Sequence, residues 1–216
     1  MKKLSNLMVA MCAGLALIPQ AALSRDAVVV ATADTVDSKT VAVGPTNDAA
    51  AEEKARKFFT DLEVIDQNGK KQRFYSDVLK GRVVLVSFIF TNCEYACPML
   101  AQKLKQTRAV MAESIKDDVW FVSISVDPER DTPEAMKNFA EKQGVDESRW
   151  IFLTGDKQNL ETIVRKLGQY TPDVEAHTTL MLAGNTKTRH WTRVMPMLQP
   201  PDIAQKMRDL VEETPG

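Results

Sequence analysis

Apolar runs alternate along the chain with segments whose apolar residues recur at helical spacing. The run at 83–90 has the length and the β-branched composition of a buried strand. Further strands are predicted at 120–126, 151–155 and 178–184, and helices at about 98–115, 131–143, 157–167 and 202–213. Strands that alternate with helices predict an α/β domain with right-handed crossovers.

Both ends of this pattern predict antiparallel additions to the sheet. Within 64–71, an Asn-Gly pair between two short extended runs is a strong hairpin signal, and a short helical turn is predicted at 74–79. Residues 189–194 are expected to pair back on the strand at 178–184. The predicted fold class is therefore α/β, with a central mixed sheet flanked by helices in three layers, as in a thioredoxin-like fold.

The first 24 residues have the pattern of a signal peptide. Lys2 and Lys3 precede an apolar run at 7–18, and small residues lie where cleavage near Ser24 is predicted. The run is shorter than the ~20 residues that span a bilayer. We expect an exported protein of the periplasm, with an uncleaved, membrane-attached segment as the alternative, and Cys12 is lost on cleavage.

Residues 25–53 contain no aromatic residue and are predicted to be a flexible lead-in. The alternative is an additional edge strand around the three valines at 28–30. The thioredoxin-like domain is then expected at 54–214. The net charge of the whole chain is −1, and no cluster of Lys and Arg stands out, so no electrostatic argument favours nucleic acid or an anionic membrane surface as a partner.

Two cysteines, Cys93 and Cys97, follow the first core strand, where the carboxyl end of a parallel strand places functional residues. A structural disulfide is one interpretation in an oxidising compartment, but so small a loop gains little chain-entropy stabilisation. At the start of a helix that has Pro98 in its first turn, we expect thiols of lowered pKa that are redox-active or bind metal. Three intervening residues favour metal without excluding redox chemistry.

His177 opens the predicted strand at 178–184. If that strand is antiparallel to 83–90, His177 lies over the cysteine pair. Two thiolates and one imidazole suit copper as Cu(I) or Cu(II), whereas a structural zinc site normally has a fourth ligand. His190 follows Arg189 and is expected to be solvated or in the hairpin. Three methionines that offer thioethers are interpreted as packing or surface residues: Met99, Met195 and Met197.

Three segments together resemble the Sco/SenC family of copper-delivery proteins that serve cytochrome c oxidase assembly: 91–98, 123–134 and His177. The resemblance extends over about 62–210. It implies a thioredoxin-like fold that binds a single copper ion through Cys93, Cys97 and His177. It also implies a cuproprotein client, a cytochrome c oxidase subunit with a dinuclear copper site, and an upstream copper donor or thiol reductant.

The sequence departs from the family's common pattern at two positions. Glu94 stands where Pro commonly follows the first Cys, and Ala176 where Asp commonly precedes the His. An Asp beside the histidine would orient it, so its loss bears on copper affinity. Asp127 matches an acidic residue near the family's site, and Asp131 or Thr132 is expected to cap the helix at 131–143.

A thiol–disulfide oxidoreductase is the second hypothesis, in which Cys93 and Cys97 reduce the cysteines of a partner protein without holding metal. The lack of Asp before His177 favours it slightly. A peroxidase of similar fold is a weaker third, because no arginine lies close to Cys93 in the sequence.

Overall fold

The computed structural model of the protein describes residues 47–214. The predictions for a signal peptide at 1–24 and for a lead-in at 25–46 lie outside the described residues. Within them, the helices are α1 (Asn47–Phe59), α2 (Ala96–Val110), α3 (Glu113–Lys116), α4 (Pro133–Gln143), α5 (Lys157–Lys166) and α6 (Pro200–Glu212). The strands are β1 (Glu63–Asp66), β2 (Lys71–Arg73), β3 (Val83–Ile89), β4 (Val119–Ser125), β5 (Trp150–Thr154), β6 (Met181–Asn185) and β7 (His190–Val194).

All seven strands form one mixed sheet in the order β2-β1-β5-β4-β3-β6-β7. β3, β4 and β5 are parallel, whereas β6 runs antiparallel to β3 and β7 antiparallel to β6. The predicted mixed α/β sheet is thus confirmed, and β6 has the antiparallel orientation that the placement of His177 over the cysteine pair requires. The start of β6 consequently lies at the same sheet edge as the carboxyl end of β3.

The predicted hairpin is formed by β1 and β2. Its turn contains Gly69 at φ 78°, a conformation that costs glycine little. The chain then forms a short π-helical turn at Phe74–Leu79, where a helical turn was predicted. The hairpin joins the sheet through β1 and β5, which are antiparallel.

Apolar side chains fill both faces of the sheet, which gives the three predicted layers. On one face, α2, α4 and α6 pack against β3 and β4 through residues such as Leu104, Met136 and Met207. On the other face, α1 and α5 pack with the π-helical turn through residues such as Phe59 and Leu160. Among residues 47–214, no helix is long and apolar enough to cross a membrane.

Two boundaries differ from the sequence-based expectations. Residues 47–53 are not lead-in but belong to α1, whose Ala, Glu and Lys residues are strong helix formers. The helix expected to reach Ile115 ends at Val110, because Met111 and Ala112 are extended before α3 begins. This break lets both Met111 and Ile115 reach the core, where each is at most 5% exposed.

The start of α4 identifies the cap. Thr132 Oγ1 accepts a hydrogen bond from the Ala135 N–H at 3.1 Å, and Pro133 lies in the first turn, where its missing N–H costs nothing. Of the two predicted candidates, Thr132 is therefore the cap. Asp131 has a different role, described below.

We expect Gly184→Ala in β6 to destabilise the fold by about 1–3 kcal/mol through overpacking. A Cβ at this position would overlap the indole ring of Trp191 on β7, which packs against Phe59. Urea unfolding measures the effect. In a Trp191→Ala background the same substitution should cost little, and an equal cost in both backgrounds would contradict this explanation.

Candidate metal centre

The cysteine pair lies at the carboxyl end of β3, where the chain turns into α2. Cys93 is half-buried, and Cys97 is in the first turn of α2 with 0% of its surface exposed. The Cys97 N–H donates a hydrogen bond to Cys93 Sγ at 3.3 Å. Both residues are free thiols, so the structure gives the reduced form of the pair.

His177 reaches this pair from the segment before β6, which lies at the same sheet edge. Its Nε2 lies 4.0 Å from Cys97 Sγ. Its Nδ1 is 2.8 Å from the Val174 carbonyl, which can only accept a hydrogen bond, so Nδ1 carries the proton and Nε2 keeps its lone pair in the neutral ring. The ring also packs edge-on against Phe90, with centroids 5.3 Å apart. The imidazole nitrogen that faces the thiol is thus the one able to bind a metal.

The backbone around His177 differs from the expectation. A 3-10 turn at Val174–Ala176 precedes His177, which is extended, and β6 begins only at Met181. His177 therefore precedes the strand by four residues rather than opening it. With Ala176 unable to orient the ring, the Val174 carbonyl supplies the hydrogen bond that fixes it. The residue types in the sequence do not predict this backbone acceptor.

The three predicted ligands are neighbours but do not converge in one cluster. Contacts join Cys97 to Cys93 and Cys97 to His177, and Cys93 and His177 line one open cleft together with Glu94, Tyr95 and Glu175. Among residues 47–214, no group of three or more His, Cys, Asp and Glu side chains has metal-site geometry. Side-chain rotation is needed to bring all three donors onto one ion.

Burial dominates the electrostatics of Cys97. It raises the pKa of this thiol well above its ordinary value, and the neighbouring Cys93 sulfur raises it further, against a lowering interaction with the Phe90 backbone. The predicted lowering of the pKa by the helix start is therefore wrong for Cys97. Desolvation of a fully buried thiolate outweighs the helix dipole.

Asp131 secures the loop that carries the cysteines. Its carboxylate is 1% exposed and accepts hydrogen bonds from the Thr91 N–H at 2.9 Å, from Thr91 Oγ1 at 2.6 Å and from Ser125 Oγ at 2.6 Å. Thr91 begins the turn that leads to Cys93. Asp131 thus ties the ends of β3 and β4 together. The sequence predicts a helix cap for Asp131 and gives no indication of this role.

Asp127 also lies near the histidine. Asp127 and His177 line the same cavity of about 200 Å³. The Asp127 side chain is buried, and its Oδ2 lies 3.4 Å from a nitrogen of Arg130 without a hydrogen bond among the described residues. Its position agrees with the acidic residue expected near the site.

None of the remaining candidates joins the donor set of the two thiols and His177. His190 pairs with Asn185 in the sheet and hydrogen-bonds Glu213 at 2.5 Å, at the end of β7 remote from the start of β6. The three methionines, Met99, Met195 and Met197, are exposed surface residues. Neither finding adds a fourth ligand to the thiols and His177.

Comparison with protein-family models matches residues 50–212 to SCO1/SenC. A SCO1 protein homolog of Bacillus subtilis is 44% identical over 95 residues, which cover 44% of this chain and 47% of that protein. The chain thus spans about half the length of the curated relatives it matches.

Solved structures agree over a longer stretch. The copper-bound ScoI of Bradyrhizobium japonicum is 28% identical, with a TM-score of 0.58 over 68% of this chain and 96% of that one. BsSco, a member of the Sco family of cytochrome c oxidase assembly proteins in which a disulfide switch was identified, is 26% identical, with a TM-score of 0.58 over 72% of this chain and 94% of that one. One of these neighbours holds copper, and a disulfide switch was identified in the other.

Proposed function

The chain belongs to the SCO1/SenC family, and we propose that it binds one copper ion through Cys93, Cys97 and His177 and delivers it to a cuproprotein. The proposed client is a cytochrome c oxidase subunit with a dinuclear copper centre. Copper is cargo in this role, taken from an upstream donor and passed on by exchange of ligands.

The contact of 4.0 Å between Cys97 Sγ and His177 Nε2 carries this proposal. It joins a thiol and an imidazole that are 80 residues apart. The second thiol is close, because Cys93 Sγ accepts a hydrogen bond from the backbone N–H of Cys97. Sulfur suits Cu(I), and an added imidazole nitrogen accommodates Cu(II). The donor set therefore fits copper in either oxidation state, whereas a structural zinc site would need a fourth ligand.

The different burial of the two thiols gives them different parts in transfer. Cys93 is half-buried and lines the open cleft, so a client's ligand can reach copper from its side. Cys97 is fully buried beneath it and would be the last ligand to release the ion. His177, held by the Val174 carbonyl, presents Nε2 without a large rearrangement of its ring.

We propose that the protein is exported and works in the periplasm, with its N-terminal segment either cleaved or kept as a membrane attachment. The apolar run at 7–18 and the two preceding lysines support export. Copper exchange through two thiols is compatible with that compartment when a thiol reductant keeps the cysteines reduced.

A thiol–disulfide oxidoreductase is the second candidate, favoured by one specific observation. Cys93 and Cys97 are both free, and the backbone N–H of Cys97 donates to Cys93 Sγ, which keeps the two residues close enough to be a pair that closes to a disulfide. In that reaction a partner's disulfide accepts two electrons and two protons and becomes two thiols, while Cys93 and Cys97 become a disulfide. A family relative, BsSco, has a disulfide switch.

We expect His177→Ala to separate the two functions. Copper affinity of the reduced protein, measured by competition with a chelator, should fall by at least about tenfold, because even the loss of a residue that only orients a ligand costs 10–100-fold. The rate of disulfide exchange with a model disulfide should stay near the wild-type value. His190→Ala, at the remote end of β7, is the matched control.

Retention of both properties would assign the pair to redox chemistry. If His177→Ala keeps wild-type copper affinity and wild-type disulfide exchange, copper delivery by the three-ligand site is wrong.

A further inference from the structure

Three exposed methionines share the sheet edge of the cysteine pair, although their sequence positions are interpreted only as packing or surface positions. Met99, Met195 and Met197 are 72%, 45% and 69% exposed. Among the described residues, the other methionines Met111, Met136, Met181 and Met207 are at most 4% exposed. Burial is the ordinary position for a methionine, so the three exposed thioethers stand out against four buried ones.

Sheet topology places Met195 and Met197 at the sheet edge that carries the cysteine pair. Val194, the last residue of β7, pairs with Met181, the first of β6. The start of β6 lies beside the carboxyl end of β3, because these strands are antiparallel. The loop that begins at Met195 therefore leaves the sheet at the edge from which the chain enters the cysteine turn.

A hydrogen bond holds this loop against α2. The Lys103 ammonium donates to the Pro196 carbonyl, and Met195 and Leu198 close a turn through a hydrogen bond between their backbones of 3.1 Å. Met99 is four residues before Lys103, which puts both side chains on one face of α2, about 6 Å apart along its axis. The Lys103 side chain therefore links Pro196 to the helix face that presents Met99, and one methionine lies on each side of Pro196 in the sequence.

We propose that Met99, Met195 and Met197 form a surface site for Cu(I) at the sheet edge that carries the thiols. Thioethers are soft, uncharged donors that select Cu(I) over harder ions and take up no proton in the accessible pH range. Methionine side chains are unbranched and adaptable, so three of them on neighbouring segments can close on one ion. Met99, two residues beyond Cys97, is the member nearest the thiols in the sequence.

The inference rests on the proposed function only for the direction of transfer. Cu(I) leaves the thioethers and forms bonds to the sulfurs of Cys93 and Cys97, and the protons of those thiols pass to water. No electron is transferred. Thioether sites are weaker than thiolate sites, so the ion moves from the exposed methionines to the cysteines and not back.

The test uses the full chain with ¹³C-labelled methionine methyl groups and the substitutions Cys93→Ala and Cys97→Ala. Cu(I) is added anaerobically, and Zn(II), a harder ion than Cu(I), is the control. We expect the methyl signals of Met99, Met195 and Met197 to shift together and saturate at one ion, while those of Met111, Met136, Met181 and Met207 stay. Replacing Met99 by Leu, which keeps the apolar surface, should weaken Cu(I) binding by about tenfold or more.

Three outcomes would overturn the site. They are unshifted methyl signals, shifts with separate midpoints, and equal shifts with Zn(II); the first two would mean an ordinary apolar surface or a protein-docking patch. The proposed function is judged separately, by copper binding in the protein with both cysteines. Methionine shifts without cysteine binding would leave this inference standing and the proposed function wrong.

Discussion

Cys97→Ala is expected to reduce the copper affinity of the reduced protein by at least about a hundredfold. A direct ligand should cost no less than the 10–100-fold lost with residues that merely orient ligands. The burial of Cys97 adds to the effect, because water cannot replace the missing sulfur where 0% of the residue is exposed. Chelator competition under reducing conditions measures it.

Ala96→Ser is the control for this substitution. Ala96 is the first residue of α2, exposed and directly before Cys97, and the change leaves both thiols in place. Thermal unfolding of both variants without copper shows whether the fold is retained. Wild-type affinity in a folded Cys97→Ala protein would remove Cys97 from the site.

Asp131→Ala should destabilise the protein by about 3 kcal/mol, since it leaves the two part-buried Thr91 donors and the buried Ser125 hydroxyl without an acceptor. Asp131→Asn should cost much less. Its remaining oxygen can accept from Thr91, and the Ser125 hydroxyl can turn to accept from the new amide. Urea unfolding of the two variants measures the difference, and equal losses would contradict the hydrogen-bond explanation.

The same carboxyl predicts a pH dependence. Burial raises the pKa of Asp131 above its ordinary value, against the lowering by the Ser125 and Thr91 hydrogen bonds. A raised pKa means that the folded state binds the proton more tightly, so this contribution to stability is complete below the ordinary Asp pKa and is lost as the pH rises through the folded-state value. Asp131→Asn should remove this component, and an unchanged pH profile would assign it to another group.

Much of the fold follows from local patterns in the sequence. The Asn68-Gly69 pair specifies the hairpin, and the continuous apolar runs specify β3 and β4, because strands covered on both faces need apolar residues throughout. The end of α2 at Val110 was not predictable, since neither Met111 nor Ala112 is a helix-breaking residue. Tertiary burial of Met111 decides that boundary.

The candidate site was predictable in its residue types but not in its electrostatics. Cys93, Cys97 and His177 are chemically distinctive, and the antiparallel β6 brings them together. The pKa of Cys97, however, depends on how deeply the turn is covered, which spacing does not reveal. The roles of Asp131 and the Val174 carbonyl depend on contacts between distant segments.

The separation of Cys97 and His177 along the chain has a mechanical consequence. An ion held by both residues would close a loop of 80 residues, which in the unfolded chain is a large restriction of conformational freedom. Cargo would therefore act as a removable cross-link between α2 and the segment before β6. Binding of the ion would stabilise the folded state, and its release to a client would remove that stabilisation. The copper-free protein would therefore be the more easily unfolded form.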